Sequence, residues 1–176
     1  MTTTFIKDRS IAEAGGPTAF TAKTTKDKMG QVTVEDAAFM VVEFENGALG
    51  SFDATRFAPG RKNYNHFEIY GSKGSLAFNF ERMNELQVFS REDPRHAQGF
   101  KTVLATESVH QYISNWWPPG HVIGYEHEFH HGVFDFLNAI ARGGSVQPNF
   151  EDGMRIMQVL EAAIESAKTG RRTTLA

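Results

Sequence analysis

Residues 35–106 form a series of short apolar, β-favouring segments, and turn-forming or polar residues separate each segment from the next. The clearest turn is Asn46-Gly47, the dipeptide most typical of a two-residue hairpin. A second turn, Gly71–Gly74, lies between two segments whose apolar and polar residues alternate. Strands joined by such short turns pair antiparallel, because parallel strands need a long crossover. The predicted strands are 35–45, 48–57, 66–71, 75–80, 85–90 and 100–106.

Two amphipathic helices are predicted after the strands, the first between Gly124 and Arg142 and the second from about Asn149 to Gly170. The pattern predicts an α+β fold: one mostly antiparallel, open-faced sheet backed by helices, in a single domain covering residues 1–176. Residues 10–31 are predicted to be a loop or a long edge excursion. The apolar residues expected to face inward are Tyr125, Phe129, Val133, Phe136, Leu137 and Ile140 in the first helix and Ile156, Met157, Leu160, Ile164 and Ala167 in the second.

The composition excludes several classes of function. A net charge of -3 argues against non-specific binding to nucleic acid or to an anionic membrane, because both need a basic face. No apolar run reaches the roughly 18 residues that a membrane span requires, and the N-terminus has no apolar region typical of a secretory signal. Cysteine is absent, so disulfides and thiolate chemistry are excluded. The default expectation is a cytoplasmic protein.

The segment 127–131, His-Glu-Phe-His-His, matches the H-E-x-x-H signature of zinc metalloproteases. In the predicted helix, however, His127 and His131 fall opposite the apolar stripe, on a face expected to be solvated. A catalytic zinc ion also needs a third ligand. Glu151 and Asp135 are the candidates, but glycines and a proline separate Glu151 from the first helix. We therefore expect no metal site, and a zinc hydrolase acting through His127, Glu128 and His131 remains a remote alternative.

Two polar and aromatic loops offer a second chemistry, the binding of a sugar. The first is 55–63, and the second is 115–121, which continues into the first helix. Paired tryptophans beside Pro-Pro-Gly form a rigid aromatic wall that could stack on the C–H faces of a sugar, while neighbouring polar groups could bind its hydroxyls. The alternative is that both tryptophans are core or interface anchors. The predicted substrate-binding residues are Arg56, Asn63, Trp117, His121 and Tyr125.

With these segments in place, the sequence resembles the C-terminal domain of the Gfo/Idh/MocA family of NAD(P)-dependent oxidoreductases, which act mostly on sugars and polyols. The resemblance implies a fold like the C-terminal domain of glyceraldehyde-3-phosphate dehydrogenase. The resembling segments run almost from end to end of the chain. They are TFIKDR (4–9), the stretch 32–63, FEIYGSKGSLAFNFERMNELQVFS (67–90), WWPPGHVIGYEHEF (116–129) and the stretch 136–170.

The resemblance implies a second, N-terminal dinucleotide-binding Rossmann domain, which is absent from this chain. The family's catalytic residues are expected upstream of residue 1, so no catalytic and no cofactor-binding residue is assigned here. NAD or NADP is expected in the full-length enzyme, and none is expected to bind this chain alone. The implied partners are a sugar or polyol substrate, the Rossmann domain, and further copies of the chain that associate through the open sheet face. Phe39, Phe44, Phe52 and Phe78 are candidates for that face or for the core.

The leading prediction is therefore the substrate-binding and oligomerisation domain of an NAD(P)-dependent sugar or polyol oxidoreductase that is not catalytically competent alone. A non-enzymatic sugar-binding or self-association module is the main alternative.

Overall fold

The computed structural model describes residues 1–12 and 24–175 and confirms the α+β class, with antiparallel strands followed by two α-helices. The chain divides into two compact units. Unit 1 comprises Met1–Pro59 and Phe150–Ala176, and unit 2 comprises Gly60–Asn149. The elements are β1 (Thr2–Thr3), β2 (Asp8–Ala12), β3 (Thr24–Gln31), β4 (Ala37–Glu43), β5 (Leu49–Thr55), β6 (His66–Tyr70), β7 (Gly74–Asn79), β8 (Glu85–Ser90), β9 (Lys101–Leu104), α1 (Tyr125–Arg142) and α2 (Phe150–Thr169).

The described strands form three sheets, where the sequence predicts one. Unit 1 contains a sheet of order β1-β4-β5 and the separate pair β2-β3, while unit 2 contains the meander β6-β7-β8-β9. A loop that contains Pro59-Gly60 separates β5 from β6, and β6 begins a new sheet. All the pairings are antiparallel, as expected.

The prediction of a loop or edge excursion for residues 10–31 is corrected at both ends of that range. β2 pairs antiparallel with β3, from Asp8 opposite Gln31 to Ala12 opposite Thr24. These strands contain many charged and small residues and show no alternation of apolar and polar residues. A two-stranded ribbon can form without such alternation, because it needs no continuous apolar face. The part of the prediction that covers residues 13–23 lies outside the described residues.

The hairpin predicted at Asn46-Gly47 is confirmed, although its loop has three residues, 45–47, between the hydrogen-bonded Phe44 and Ala48. Gly47 has φ +81, a left-handed conformation that glycine adopts without steric cost. The Asn46 side chain accepts a hydrogen bond from the Ala48 backbone N–H at 3.0 Å, and the Phe44 N–H donates to the Ala48 carbonyl at 2.8 Å. This turn fixes the register of β4 against β5 along its whole length.

The predicted turn Gly71–Gly74 is also confirmed, and it depends on a close approach at its second glycine. The Gly71 N–H donates to the Gly74 carbonyl at 2.8 Å. A Cβ atom at Gly74 would lie 2.3 Å from the carbonyl oxygen of Phe89 on β8, whereas a Cβ at Gly71 would make only an ordinary contact at 3.4 Å. Only glycine therefore fits at the start of β7.

Asp36, immediately before β4, ties the N-terminal half of unit 1 together. Its side chain is 1% exposed and accepts hydrogen bonds from the backbone N–H groups of Phe5 at 2.8 Å and Ile6 at 3.0 Å. The Arg9 guanidinium donates to the same carboxylate at 2.6 Å. The backbone carbonyl of Asp36 accepts from the Arg56 N–H at 2.9 Å, so this residue also holds the end of β5. Buried carboxylates persist only when they are satisfied in this way.

These contacts hold Asp36 in its charged form. The hydrogen bond from the Ile6 N–H lowers the pKa of the Asp36 carboxyl below its usual 3.8, and the Phe5 N–H and Arg9 act in the same direction, although burial opposes them. The sequence reasoning missed Asp36, because a lone aspartate before a strand resembles an ordinary turn residue.

The helices differ from the prediction in which face is turned inward within each unit. The residues of α1 that are half-buried include His127, His131 and Asp135, whereas its apolar stripe stays 53% to 62% exposed. In α2 the half-buried residues include Ala163 and Ser166, which line a concavity with β4 and β5. Of the predicted stripe, Ala167 is also half-buried, whereas the four larger side chains are 38% to 59% exposed.

Fully buried apolar side chains are few among the described residues: Ala37 in unit 1 and Ile113 in unit 2. Of the phenylalanines predicted for a core or an association face, Phe39, Phe44 and Phe52 are about half exposed. Phe78 is half-buried and packs on Phe67 with 5.4 Å between ring centroids. Neither described helix has the length and apolar character needed to cross a membrane.

Candidate functional site

The second sugar-binding loop predicted from the sequence lies between β9 and α1 and is anchored at both ends. At its start, Ile113 is 2% exposed within a short 3-10 turn, Ile113–Asn115. At its end, the Asn84 side chain makes two hydrogen bonds to the backbone of Ile123, one to its carbonyl at 2.8 Å and one from its N–H at 3.1 Å. The intervening residues 116–122 are therefore held on a fixed base.

Trp117 and His121 present their side chains from this loop. Trp117 is 49% exposed, which leaves much of its indole available to a ligand. The Nδ1 atom of His121 lies 3.0 Å from the Pro118 carbonyl oxygen. Because a carbonyl only accepts, Nδ1 carries the proton, and Nε2 of the neutral ring is left as an acceptor for a ligand hydroxyl.

Tyr125, the third predicted residue of this region, begins α1. Its ring makes edge-on contacts with Phe80 at 5.9 Å and Phe129 at 5.2 Å between centroids. These contacts fix the ring, and half of the side chain remains exposed. Tyr125 is thus an aromatic residue at the end of the loop whose ring is held by two neighbouring rings.

The two remaining candidates, Arg56 and Asn63, lie in different units. Arg56 follows β5 in unit 1, where Asp36 holds its backbone and its side chain is exposed. Asn63 is exposed in unit 2, in the loop where the Arg61 guanidinium stacks on Tyr64 at 3.9 Å. Among the described residues, no hydrogen bond or ring contact joins any two of the five candidates, so their convergence on one ligand remains a prediction.

The prediction that His127 and His131 lie on a solvated face is wrong. The structure packs them against residues of the preceding loop, in what we call the Trp116 cluster: Tyr112, Trp116, His127, His130 and His131. The ring of Trp116 lies 4.4 Å from His127, 5.6 Å from His130 and 5.9 Å from His131, centroid to centroid. The helical register was correct, but the apolar partners of this face are aromatic rings outside the helix, which periodicity within α1 does not reveal.

Each of the two histidines has a defined hydrogen-bonding role. His127 Nδ1 accepts the backbone N–H of Gly124 at 3.1 Å and so caps the first turn of α1. His131 Nε2 accepts the Trp116 indole N–H at 2.8 Å. An indole N–H can only donate, so His131 is neutral at this nitrogen and carries its proton on Nδ1.

Burial and a stacked tyrosine define the environment of His131. The Tyr112 ring lies 4.1 Å from the His131 ring at an interplanar angle of 12°, and the Tyr112 hydroxyl donates to Asp135 Oδ2 at 2.5 Å. Burial lowers the pKa of His131 below its usual 6.5. His127 and His130 act in the same direction, while Asp135 and Glu128 oppose them. The bond to the Asp135 carboxylate raises the pKa of the Tyr112 hydroxyl, because it favours the protonated phenol.

This arrangement does not fit a catalytic zinc ion. The His131 Nε2 lone pair is used by Trp116, and His127 Nδ1 is used by the backbone of Gly124. Across residues 1–12 and 24–175, no group of three histidine, aspartate or glutamate side chains is placed to hold a metal ion. The H-E-x-x-H spacing thus serves helix capping and aromatic packing in this fold.

The described residues do not fit a dinucleotide either. A pyrophosphate is usually bound at a helix N-terminus that follows a strand and a glycine-rich turn. Here the first turn of α1 carries Glu126 and Glu128, and that of α2 carries Glu151, which pairs with Arg155, and Asp152. Acidic side chains at these positions disfavour the binding of a phosphate group. The described strands pair antiparallel and form no βαβ unit. No step of a redox reaction is therefore assigned to these residues.

A concavity of about 310 Å³ adjoins the cluster, lined by Tyr112, Asn115, Trp116, His130, His131 and Phe134. Of these residues, Asn115 and Trp116 belong to the predicted loop and His131 to the zinc alternative, but the sequence does not predict that they line one concavity. Within this lining, Tyr112 adopts φ 70, the left-handed conformation that a bulky residue rarely tolerates. Such strain is maintained only where surrounding contacts impose it, here the stacking on His131 and the bond to Asp135.

Comparison with known proteins covers nearly the whole chain. The family profile described as "Oxidoreductase family, C-terminal alpha/beta domain", that of Gfo/Idh/MocA proteins, matches residues 8–175. Levoglucosan dehydrogenase from Pseudarthrobacter phenanthrenivorans is 41% identical over 165 residues, which span 93% of this chain and 42% of that protein.

Solved structures agree with this result. An oxidoreductase domain protein from Kribbella flavida is 45% identical and superposes with a TM-score of 0.85, over 97% of this chain and 41% of that one. Levoglucosan dehydrogenase in complex with NADH and levoglucosan is 44% identical with a TM-score of 0.77, over 80% of this chain and 38% of that one. The chain thus spans less than half the length of these relatives.

Proposed function

The chain belongs to the Gfo/Idh/MocA family of oxidoreductases, as its C-terminal alpha/beta domain, and we propose that it forms the sugar- or polyol-binding side of an NAD(P)-dependent dehydrogenase. The hydride acceptor and the proton-transferring groups are then supplied by a nucleotide-binding domain outside these residues. Among sugars, levoglucosan is the first ligand to test, because a 44% identical relative is known in complex with it.

The observation that carries this proposal is the anchored loop of residues 116–122. Sugar recognition needs an exposed aromatic face for the C–H groups and fixed polar atoms for the hydroxyls. Trp117 supplies the face, and His121 supplies an acceptor whose orientation is set by the Pro118 carbonyl. Because the loop is held at Ile113 and Ile123, little ordering entropy is lost when a ligand binds.

Nuclear magnetic resonance of the indole N–H groups tests the binding directly, since Trp116 and Trp117 are the two tryptophans of the chain. With isotope-labelled protein, addition of levoglucosan is expected to shift the Trp117 indole signal more than that of Trp116, which is hydrogen-bonded to His131. His121→Ala should weaken binding about fivefold, the value of one hydrogen bond. His96→Ala, in an exposed turn of unit 2, is the matched control. Absence of any shift with levoglucosan and a panel of sugars and polyols would overturn the proposal.

The chain alone is proposed to be inactive, because its helix N-termini are acidic and no dinucleotide site is formed by the described residues. An assay of nicotinamide reduction with levoglucosan and either NAD or NADP should therefore show no turnover, and measurable turnover would contradict this. Sugar binding without turnover also fits a non-enzymatic binding module. An in-frame Rossmann sequence in the DNA upstream distinguishes a dehydrogenase domain from that alternative.

We further propose that copies of the chain associate through the face of the β1-β4-β5 sheet that carries Phe39, Val41 and Leu49. Phe39, Val41 and Leu49 are exposed there, Val41 to 81%. Val41→Glu should reduce the mass observed by light scattering to that of the monomer, whereas Val34→Glu, at another exposed position of unit 1, should not. A wild-type chain that is monomeric at all concentrations would disprove this interface. The cytoplasmic location stays a prediction from the sequence.

A further inference from the structure

The two adjacent tryptophans have different environments, and this difference suggests a role for the Trp116 cluster. Trp116 is half-buried and contacts three histidine rings of α1, while Trp117 is half exposed. Both backbone N–H groups point to the Ile113 carbonyl, at 2.9 Å for Trp116 and 3.3 Å for Trp117. The two side chains therefore project from one short backbone segment, through which the position of the Trp116 ring affects that of Trp117.

One polar contact determines the orientation of the Trp116 ring. The aromatic contacts allow the indole to slide or rotate at small cost, because dispersion is not directional. The hydrogen bond from Nε1–H to His131 Nε2, at 2.8 Å, does not allow this. His131 is itself restrained, since the Tyr112 ring stacks on it and Tyr112 is bound in turn to Asp135.

We propose that His131 is a positioning residue for the sugar loop: by accepting the Trp116 indole N–H, it holds residues 116–121 so that Trp117 and His121 face a ligand. The consequence for the ligand rests on the proposed function, whereas the positioning of Trp117 can be tested without any ligand. His131 touches no substrate in this role and acts only through Trp116.

The groups around His131 make this role dependent on its neutral form. From α1, the titratable neighbours are His127, Glu128, His130 and Asp135. From the preceding loop, Tyr112 stacks on the ring and Trp116 donates to it. Burial and the neighbouring histidines lower the pKa of His131, which keeps the acceptor available at neutral pH. A protonated ring would offer two donors to a partner that can only donate, and the bond would be lost.

Two substitutions separate the hydrogen bond from the bulk of the side chain. His131→Gln keeps an acceptor oxygen and does not titrate, whereas His131→Leu keeps comparable volume without an acceptor. In ligand-free protein, His131→Leu should shift both indole signals and speed the exchange of the Trp116 N–H with solvent. His131→Gln should leave both signals near their wild-type positions, and so should the control His96→Gln.

Levoglucosan affinity and acidification provide two further readouts. His131→Leu should raise the Kd for levoglucosan by about fivefold to tenfold, and His131→Gln should restore it. Tryptophan fluorescence of the wild type should change as pH falls below about 6.5, and the change should be smaller in His131→Gln, in which His127 and His130 still contact the Trp116 ring.

The possible outcomes distinguish this inference from the proposed function. An unchanged Trp117 signal in folded His131→Leu overturns the positioning role, as does wild-type affinity in that variant. If the wild type binds no sugar, the proposed function fails, and the ligand-free signals still decide the positioning role. If His131→Leu does not fold, as judged by circular dichroism, the fluorescence titration of the wild type against His131→Gln decides it. An identical response to pH in these two proteins would overturn it.

Discussion

Each of the two units is tied together by one polar centre, and the two centres use opposite electrostatics. In unit 1 the centre is the Asp36 carboxylate, which is charged and is satisfied by two backbone N–H groups and Arg9. In unit 2 it is the pair Trp116–His131, which is neutral and surrounded by aromatic rings. The centre of unit 1 depends on the Asp36 carboxylate remaining charged, whereas the centre of unit 2 depends on the His131 ring remaining neutral.

The two centres also close loops of different length. Asp36 joins residues 27 to 31 positions away, while the bonds within the Trp116 cluster and to Asp135 join residues 15 and 23 positions apart. Unit 2 is in addition a meander of consecutive strands, so its contacts are local. Loop-closure entropy grows only slowly with loop length, so this difference in length changes stability little. The two centres differ more in their number of partners: the Asp36 carboxylate alone accepts three hydrogen bonds, whereas the contacts around Trp116 and His131 are divided among several side chains.

Removing the carboxylate should have the largest effect. Asp36→Ala leaves two backbone N–H groups and the Arg9 guanidinium without their acceptor in a site that is 1% exposed, and we expect unit 1 to lose most of its stability. Thermal unfolding followed by circular dichroism measures this. Asp53→Ala, on the exposed surface of β5, is the control and should change little. If Asp36→Ala and Asp53→Ala had the same melting temperature, Asp36 would not be the main polar contact of unit 1.

A backbone clash in unit 2 should rank second. Gly74→Ala places a Cβ atom 2.3 Å from the Phe89 carbonyl, so β7 must move away from β8, at a cost of about 2 kcal/mol in the free energy of unfolding. Gly71→Ala, three residues earlier in the same turn, meets only an ordinary contact. Urea unfolding of both variants gives the difference. If Gly71→Ala were the more damaging change, the close approach of β7 and β8 would be wrong.

Tyr112→Phe should have a smaller effect, because it removes a single hydrogen bond to Asp135 and leaves the ring stacked on His131. We expect a loss of about 1 kcal/mol in the free energy of unfolding. Urea unfolding followed by tryptophan fluorescence measures it, since both tryptophans lie in unit 2. Tyr70→Phe, on the exposed strand β6, tests whether loss of any tyrosine hydroxyl has the same effect. Unchanged stability in Tyr112→Phe would mean that stacking alone holds His131.

Mild acid should produce the smallest effect and should affect the units one after the other. The pKa of His131 is lowered from 6.5 in the folded protein, so its unfolded state binds more protons and stability falls as pH drops below about 6.5 toward the folded pKa. The pKa of Asp36 is lowered from 3.8, so its contribution is complete above that value and is lost only as pH falls below it. Indole signals report on unit 2, and the amide signals of Phe5 and Ile6 report on unit 1. If the indole signals and the amide signals were lost at the same pH, the two units would not respond in separate pH ranges, and this prediction would be wrong.

The strands of unit 2 and the hairpin at Asn46-Gly47 were predictable because turn chemistry and alternation agree along the local sequence. The pair β2-β3 was not, since its residues carry no alternating pattern and its stability comes from pairing. Similarly, the apolar stripe of α1 was read correctly as a pattern, but a pattern within one helix does not show that aromatic rings from a loop will cover its histidine face.

The candidate site residues were chosen from the sequence by residue type, and their role in binding stays a prediction. Trp117, His121 and Tyr125 were selected as an aromatic face with polar neighbours, and the structure shows the anchors that hold their loop. The hydrogen bond between Trp116 and His131 and the role of Asp36 could not be predicted, because both depend on distances across the fold between residues with no fixed spacing.

The order of the two units along the chain has a consequence for synthesis on the ribosome. Unit 1 is discontinuous, and its closing helix α2 is made last, after the about 90 residues of unit 2. At a translation rate of roughly 5–20 residues per second, the first five strands wait on the order of 5–20 seconds for that helix. Unit 2 is complete before then and can fold as the polypeptide emerges. The nascent chain thus passes through a stage at which the later-coded unit is finished and the earlier one is still open.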